Sequence, residues 1–268
     1  MLAALAAAGC GGGGKSTGSS ASTGATPANF DFGSNDPRRA TAFGDSITLG
    51  VLGDPDLAPR ALLKITSRLT TSNNYPNNLQ NMLRGLDPTW RVINRGVAGE
   101  ITQVGLGRFG SVLAADRPGF ILIMEGTNDA SRELDPSTIV GNLGSMVSLA
   151  QGNRTIPVLA TIPPNFRNDS GAQGVISQAN TLIRAMARSR GIVLAEIFDG
   201  MNDRSLFGSP DLGINDPLHP NEQGYVKMAG IWFTAMQRAI PAGPVATAPA
   251  PTPTPVPGGT APAQTKRR

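Results

Sequence analysis

Two side chains in this sequence are suited to nucleophilic chemistry: Ser46, in the stretch GDSITLG, and His219, in DPLHPN, which is the only histidine among 268 residues. A serine hydroxyl attacks slowly until a base takes its proton. An imidazole, with an ordinary pKa near about 6.5, is the side chain that does this at neutral pH. Asp216 lies three residues before His219, a spacing that lets a carboxylate accept the Nδ1 proton, fix the tautomer and stabilise the imidazolium. Asp199, just past the last apolar run, is an alternative acid without that short spacing. Attack on an ester carbonyl builds an oxyanion, which needs donors aimed at it in advance. The candidates are the backbone amide of Ser46, that of Gly99 or Gly96 in RGVAGEIT, and the side-chain amide of Asn128 in EGTNDA. Each has a plainer reading: Gly-Asp-Ser as a turn, Gly99 as a turn glycine, Asn128 as a helix cap, His219 as a solvated loop residue. Their value lies in occurring together and in order.

The elements that must position them follow from periodicity. Short apolar runs at 40–43, 91–94, 120–124, 155–161 and 192–198 read as strands. Segments 75–85, 100–115, 136–151, 172–191 and 221–240 carry helical spacing. Strands alternating with helices predict parallel pairing and a three-layer α/β/α sandwich, in one domain over residues 35–240. Ser46, Gly99 and Asn128 each follow a predicted strand, and Asp216 and His219 precede the last helix. In such sheets the strand carboxyl ends carry the chemistry.

The blocks Gly44-Asp45-Ser46, Gly99 in VAGEIT, Gly126-Thr127-Asn128-Asp129 and Asp216-Pro217-Leu218-His219 resemble the four signature blocks of the SGNH hydrolase, or GDSL-type esterase, superfamily, in that family's order and across the whole domain. The first block reads Gly-Asp-Ser-Ile where the family name has Leu. The resemblance implies a flavodoxin-like sheet of five parallel strands, a triad of Ser46, His219 and Asp216, and an oxyanion hole from the amides of Ser46, Gly99 and Asn128, with Gly96 as a substitute for Gly99. It also implies ester hydrolysis with no cofactor and no metal, on a small-molecule, glycan or lipid ester. The stretch from Val51 to Asn74 and the run 162–169 (IPPNFRND) are expected to wall the substrate, with Arg132 and Arg167 available to anionic groups. A second reading is a non-catalytic envelope lipoprotein that binds acylated glycans through a degenerate site.

Other classes fare worse. The basic pI of about 9.7 suggests nucleic acid, but Lys15, Lys266, Arg267 and Arg268 lie in tails without acids, and the remaining 19 basic residues balance 19 acidic ones. A neutral domain with scattered aromatics is no nucleic-acid platform. One cysteine and one histidine leave little for a zinc site. Gly9 to Ser16, GCGGGGKS, spells a phosphate loop but precedes a Ser/Thr/Gly-rich linker rather than a helix, and Gly105 to Gly110, GLGRFG, falls in a helical segment.

Cys10 ends LAALAAAGC, an apolar run closing on small residues. It resembles a bacterial lipobox, which predicts lipidation of Cys10, a linker over 11–34 and an envelope-anchored domain. No basic region precedes Leu2, so the lipobox resemblance carries the expectation of a start codon further upstream. The segment 241–268, rich in Pro, Ala and Thr, reads as a tail without a core.

Overall fold

In the computed structural model, which describes residues 29–53 and 70–241, the apolar runs build a single sheet. Its strands are β1 (Asp36–Gly44), β2 (Arg91–Gly96), β3 (Pro118–Met124), β4 (Ile156–Ala160) and β5 (Val193–Ala195). All pairings are parallel, in the order β2-β1-β3-β4-β5. The helices are α1 (Ser46–Leu49), α2 (Tyr75–Arg84), α3 (Thr102–Asp116), α4 (Thr127–Ala130), α5 (Pro136–Gly152), α6 (Ser170–Arg190), α7 (Ile197–Gly200) and α8 (Glu222–Ala239). Cys10, Gly9 to Ser16, residues 54–69 and the segment from 242 onward lie outside the described residues.

β3 is buried along its whole length because both its faces are covered, as the unbroken run PGFILIM requires. Its side chains alternate: Phe120, Leu122 and Met124 join the core under α2 and α8, while Ile121 and Ile123 join the core under α3, α5 and α6. Trp232 of α8 stacks on Tyr75 of α2 with ring centroids 5.9 Å apart. On the other face, Phe109 of α3 meets Phe43 edge-on at 4.9 Å. This is the expected three-layer α/β/α sandwich. Helix starts follow local chemistry: Asn74, Asp135, Asp169 and Asn221 each cap a first turn with a side-chain oxygen.

Two boundaries differ from expectation by three residues or more. β1 begins at Asp36, four residues early, because Arg38 and Arg39 extend the strand while their guanidinium groups reach Asp87 and the Asp116 carbonyl. β5 stops at Ala195 rather than 198: the Phe198 N–H turns to the Thr161 hydroxyl, 2.8 Å away, and the chain coils into α7.

From β1 the chain crosses to β2 at one edge of the sheet and then returns to lay β3 on the other side of β1, so the direction of winding reverses between β1 and β3. The crevice between their carboxyl ends is the topological switch point where open α/β sheets bind ligands. Ser46 and Asn128 follow the two strands that flank it, β1 and β3.

Candidate active site

Ser46 opens α1 directly after the turn that ends β1. Asp45 caps that short helix, accepting the Ile47 N–H at 2.9 Å. Being first in the helix, the Ser46 N–H has no intrahelical acceptor, and it has no hydrogen-bond partner among the described residues. The Ser46 Oγ lies 2.9 Å from His219 Nε2, and the far side of the ring, Nδ1, lies 2.7 Å from Asp216 Oδ2. Asp216 is fully buried and His219 nearly so.

The spacing Asp-Pro-Leu-His explains that alignment. One oxygen of Asp216, Oδ1, accepts the backbone N–H of Leu218 at 2.7 Å and of His219 at 3.3 Å, which curls the chain so that the ring meets the other oxygen. The loop is also held from outside. Gly208 N–H donates to the His219 carbonyl at 2.9 Å, and Phe166 N–H donates to the Pro217 carbonyl at 3.0 Å. The Phe166 ring packs edge-on against Phe207, 5.0 Å between centroids. The run 162–169, expected as a wall, therefore also braces the histidine loop.

The two glycines at and just after the end of β2 differ in what they offer. Gly96 is packed against α1: a Cβ there would fall 2.2 Å from the Leu49 nitrogen, and its own N–H is taken by Asn94 Oδ1 at 2.9 Å. Gly99 sits at φ +76°, with nothing within 4 Å of where a Cβ would stand, and its N–H has no partner among the described residues. Between the two, Gly99 is the one with a donor to spare. Asn128 is not a helix cap. The N-cap of α4 is Gly126, and the Asn128 amide instead donates to the Glu100 carbonyl at 2.8 Å. Its other contact, Asp45 Oδ2 at 3.5 Å, is at the outer limit of a hydrogen bond, so the second N–H is uncommitted.

A hydroxyl, an oriented imidazole and spare amide donors at one sheet edge form a set capable of acyl transfer. The sequence model of the GDSL-like lipase/acylhydrolase family matches residues 42–227, from the middle of β1 into α8. The chain belongs to that family. A relative, "Esterase TesA" of Pseudomonas aeruginosa, is 31% identical over 100 residues; the match covers 37% of this chain and about half, 50%, of the relative's length. Among solved structures, the lipase/acylhydrolase of Enterococcus faecalis superposes with a TM-score of 0.60 at 20% identity, covering 75% of this chain and 95% of that one. Axe2, an acetylxylan esterase of Geobacillus stearothermophilus, gives 0.59 at 18% identity, covering 78% and 99%. These likenesses fix the fold.

In this GDSL-like chain Asp45 is buried, and burial is the main force raising its carboxyl to about 6. The Ile47 N–H, the charge of His219 and the Thr127 hydroxyl pull the other way, and the Asp129 charge adds to the rise. Burial likewise pushes the Glu125 carboxyl well above the usual carboxylate range, helped by the nearby Asp45, Glu100 and Asp129. Reasoning from sequence missed Glu125 and Glu100, which read as the residue after a strand and the start of a helix. It also missed Arg108, which pairs with Glu100 and stands 4.0 Å over the Phe43 ring. The signal was available: a charged residue directly after FILIM, at the end of a strand that has no polar position.

Asp199 is not near the histidine in hydrogen bonding; it pairs with Arg184 at 3.0 Å on an exposed surface. Gly105 to Gly110 lie inside α3 rather than on a strand-to-helix turn, and Gly105 packs against Phe43 and Met146.

Proposed function

We propose that this chain is a serine esterase in which Ser46 is the nucleophile, His219 the general base and Asp216 the acid that orients it. The observation that carries the reading is the buried chain of contacts from Ser46 Oγ to His219 Nε2, 2.9 Å, and from His219 Nδ1 to Asp216 Oδ2, 2.7 Å. Neutral His219 takes the serine proton as Oγ bonds to the ester carbonyl carbon. The carbonyl oxygen becomes an oxyanion, stabilised by the N–H groups of Ser46 and Gly99 and the free N–H of Asn128. Collapse breaks the ester bond, and the leaving alcohol departs with the proton from His219. Water then attacks the acyl-serine with the same base, releasing the acid and restoring Ser46.

The experiment is covalent trapping combined with an ester panel. A fluorophosphonate should label Ser46 in the wild-type protein, and chromogenic acetyl, butyryl, long-chain and aryl esters, together with acetylated sugars, should show which acyl and alcohol groups turn over. Near-native turnover by Ser46→Ala would overturn the mechanism. Binding of acylated glycans with no turnover of any ester would leave the non-catalytic reading.

We also propose that Cys10 carries a lipid and that residues 11–34 tether the domain to an envelope surface. The run LAALAAAGC supports this. Several acyl chains anchor firmly where one is marginal. Cys10→Ala, in a gene with its natural start, should move the protein out of the membrane fraction; an unchanged distribution would exclude lipidation as the anchor.

A further inference from the structure

Four buried carboxyls lie around the Ser46 turn: Asp45, Glu100, Glu125 and Asp129. The ester mechanism gives none of them a proton to move. Three have donors. Asp45 accepts the Ile47 N–H, Glu100 is gripped by the Arg108 guanidinium, and Asp129 accepts the Thr102 N–H and hydroxyl at 2.9 and 2.6 Å. Glu125 has none: neither of its oxygens meets a donor among the described residues. Its surroundings include apolar walls. A Cβ on Gly105 would lie 3.3 Å from Glu125 Oε1 and equally far from the Phe43 ring and the Met146 methyl.

Glu100, whose side chain the Arg108 guanidinium holds, is the acid whose carboxyl meets that of Glu125, and Asp45 and Asp129 lie close enough to oppose a charge there. Two carboxylates side by side in a buried site cannot both ionise, and one proton shared between them turns a repulsion into a bond. Arg108 neutralises Glu100, to which it donates through Nε at 2.8 and 3.0 Å. The proton therefore belongs on Glu125, where it also gives one of the two orphaned oxygens a partner.

Glu100 is a consequential partner. It directly follows Gly99, and its carbonyl accepts the Asn128 amide at 2.8 Å. Glu125 directly precedes Gly126, the N-cap of the helix that carries Asn128. We propose that Glu125 is a positioning residue for the oxyanion pocket: its carboxyl donates a hydrogen bond to the Glu100 carboxylate, a second tie between the turn bearing Gly99 and the turn bearing Asn128. The inference rests on the reading of those two residues as oxyanion donors.

The ionisable groups around Glu125 set the pH dependence of the tie. Asp45 on the β1–α1 turn, Glu100 on the β2–α3 turn and Asp129 on α4 all disfavour a charge on Glu125. Arg108 on α3 is committed to Glu100, and the buried Tyr75 phenol on α2 feels the Glu125 charge. A carboxyl raised in the folded state contributes stability at low pH that is lost as pH rises through the folded value. The tie is thus intact in acid and is lost as pH rises through the raised value of Glu125.

The test uses Glu125→Gln and Glu125→Leu, with kcat and KM on a chromogenic acetyl ester and Tm followed from about pH 5 to about pH 9. The glutamine amide still donates to Glu100 and has no proton to lose. Its kcat should stay within about threefold of wild type, and its Tm should gain on wild type as pH rises. Leucine cannot donate, so kcat should fall at least about tenfold with KM within about threefold, the pattern of displaced transition-state donors. Three results would each overturn the proposal: wild-type kcat in Glu125→Leu, glutamine as damaging as leucine, or parallel Tm curves for wild type and Glu125→Gln. If the leucine variant does not fold, the glutamine kcat and its Tm curve decide. Turnover surviving Ser46→Ala would defeat the nucleophile assignment separately, and the Tm curves would still decide whether the acid pair exists.

Discussion

Removing the Asn128 side chain separates a transition-state donor from a structural brace. The Asn128 amide has two hydrogens. One is committed to the Glu100 carbonyl at 2.8 Å, and the other has only Asp45 Oδ2 at 3.5 Å, too long to hold it. Asn128→Ala deletes both. The lost brace is one hydrogen bond between side chain and backbone, about 1 kcal/mol, which for a domain of this size lowers Tm by about 2–4 °C. No cap is lost, because Gly126 holds that position. On the proposed reading the lost donor acts where negative charge develops, and one such donor contributes about 3–4 kcal/mol to the transition state. That corresponds to a fall in kcat of about 100- to 1,000-fold, with KM nearly unchanged because the ground-state carbonyl is held weakly.

The assay is steady-state turnover of a chromogenic ester alongside thermal melting of the same preparation. Asn128→Asp is the control, since it keeps the shape but offers no donor and adds a charge facing the oxyanion. It should be at least as slow as alanine. A kcat within about tenfold of wild type in Asn128→Ala, together with a lowered Tm, would make Asn128 a brace and leave the oxyanion to backbone donors alone.

Gly96→Ala should lose stability before it loses chemistry, because its Cβ would fall 2.2 Å from the Leu49 nitrogen; a fall in Tm of several degrees in a melt checks this, and an unchanged Tm would refute it. Gly99→Ala meets nothing within 4 Å, so it should fold at a backbone cost of about 1–2 kcal/mol from φ +76° and report on the adjacent N–H through kcat. Asp45→Asn keeps an acceptor for the Ile47 N–H while removing a carboxyl raised from 3.8 to about 6. Such a group stabilises the fold below its unfolded value, and the contribution, about 3 kcal/mol, is lost as pH rises through about 6. The asparagine variant should therefore melt higher than wild type at about pH 8 and converge with it below about pH 4; parallel melting curves would refute the burial argument.

The sheet, its parallel pairing and the meeting of Ser46, Asp216 and His219 were legible because each rests on a local rule. FILIM must be buried on both faces, and Asp-Pro-Leu-His brings a carboxylate and a ring onto one turn by spacing alone. Gly96 and Gly99 could not be told apart in this way: both are glycines three residues apart after the same strand. What separates them is the back of α1, which reaches Gly96 only once β1 and β2 pair in register at Gly44 and Gly96. Glu125 was harder still. Its proposed role depends on two turns, 25 residues apart in sequence, placing two acids together with Arg108 bound to one of them, and no local pattern encodes that meeting. A buried carboxyl without a donor is unfavourable unless it keeps its proton. Its presence directly after an otherwise wholly apolar strand is the trace such a pairing leaves in the sequence.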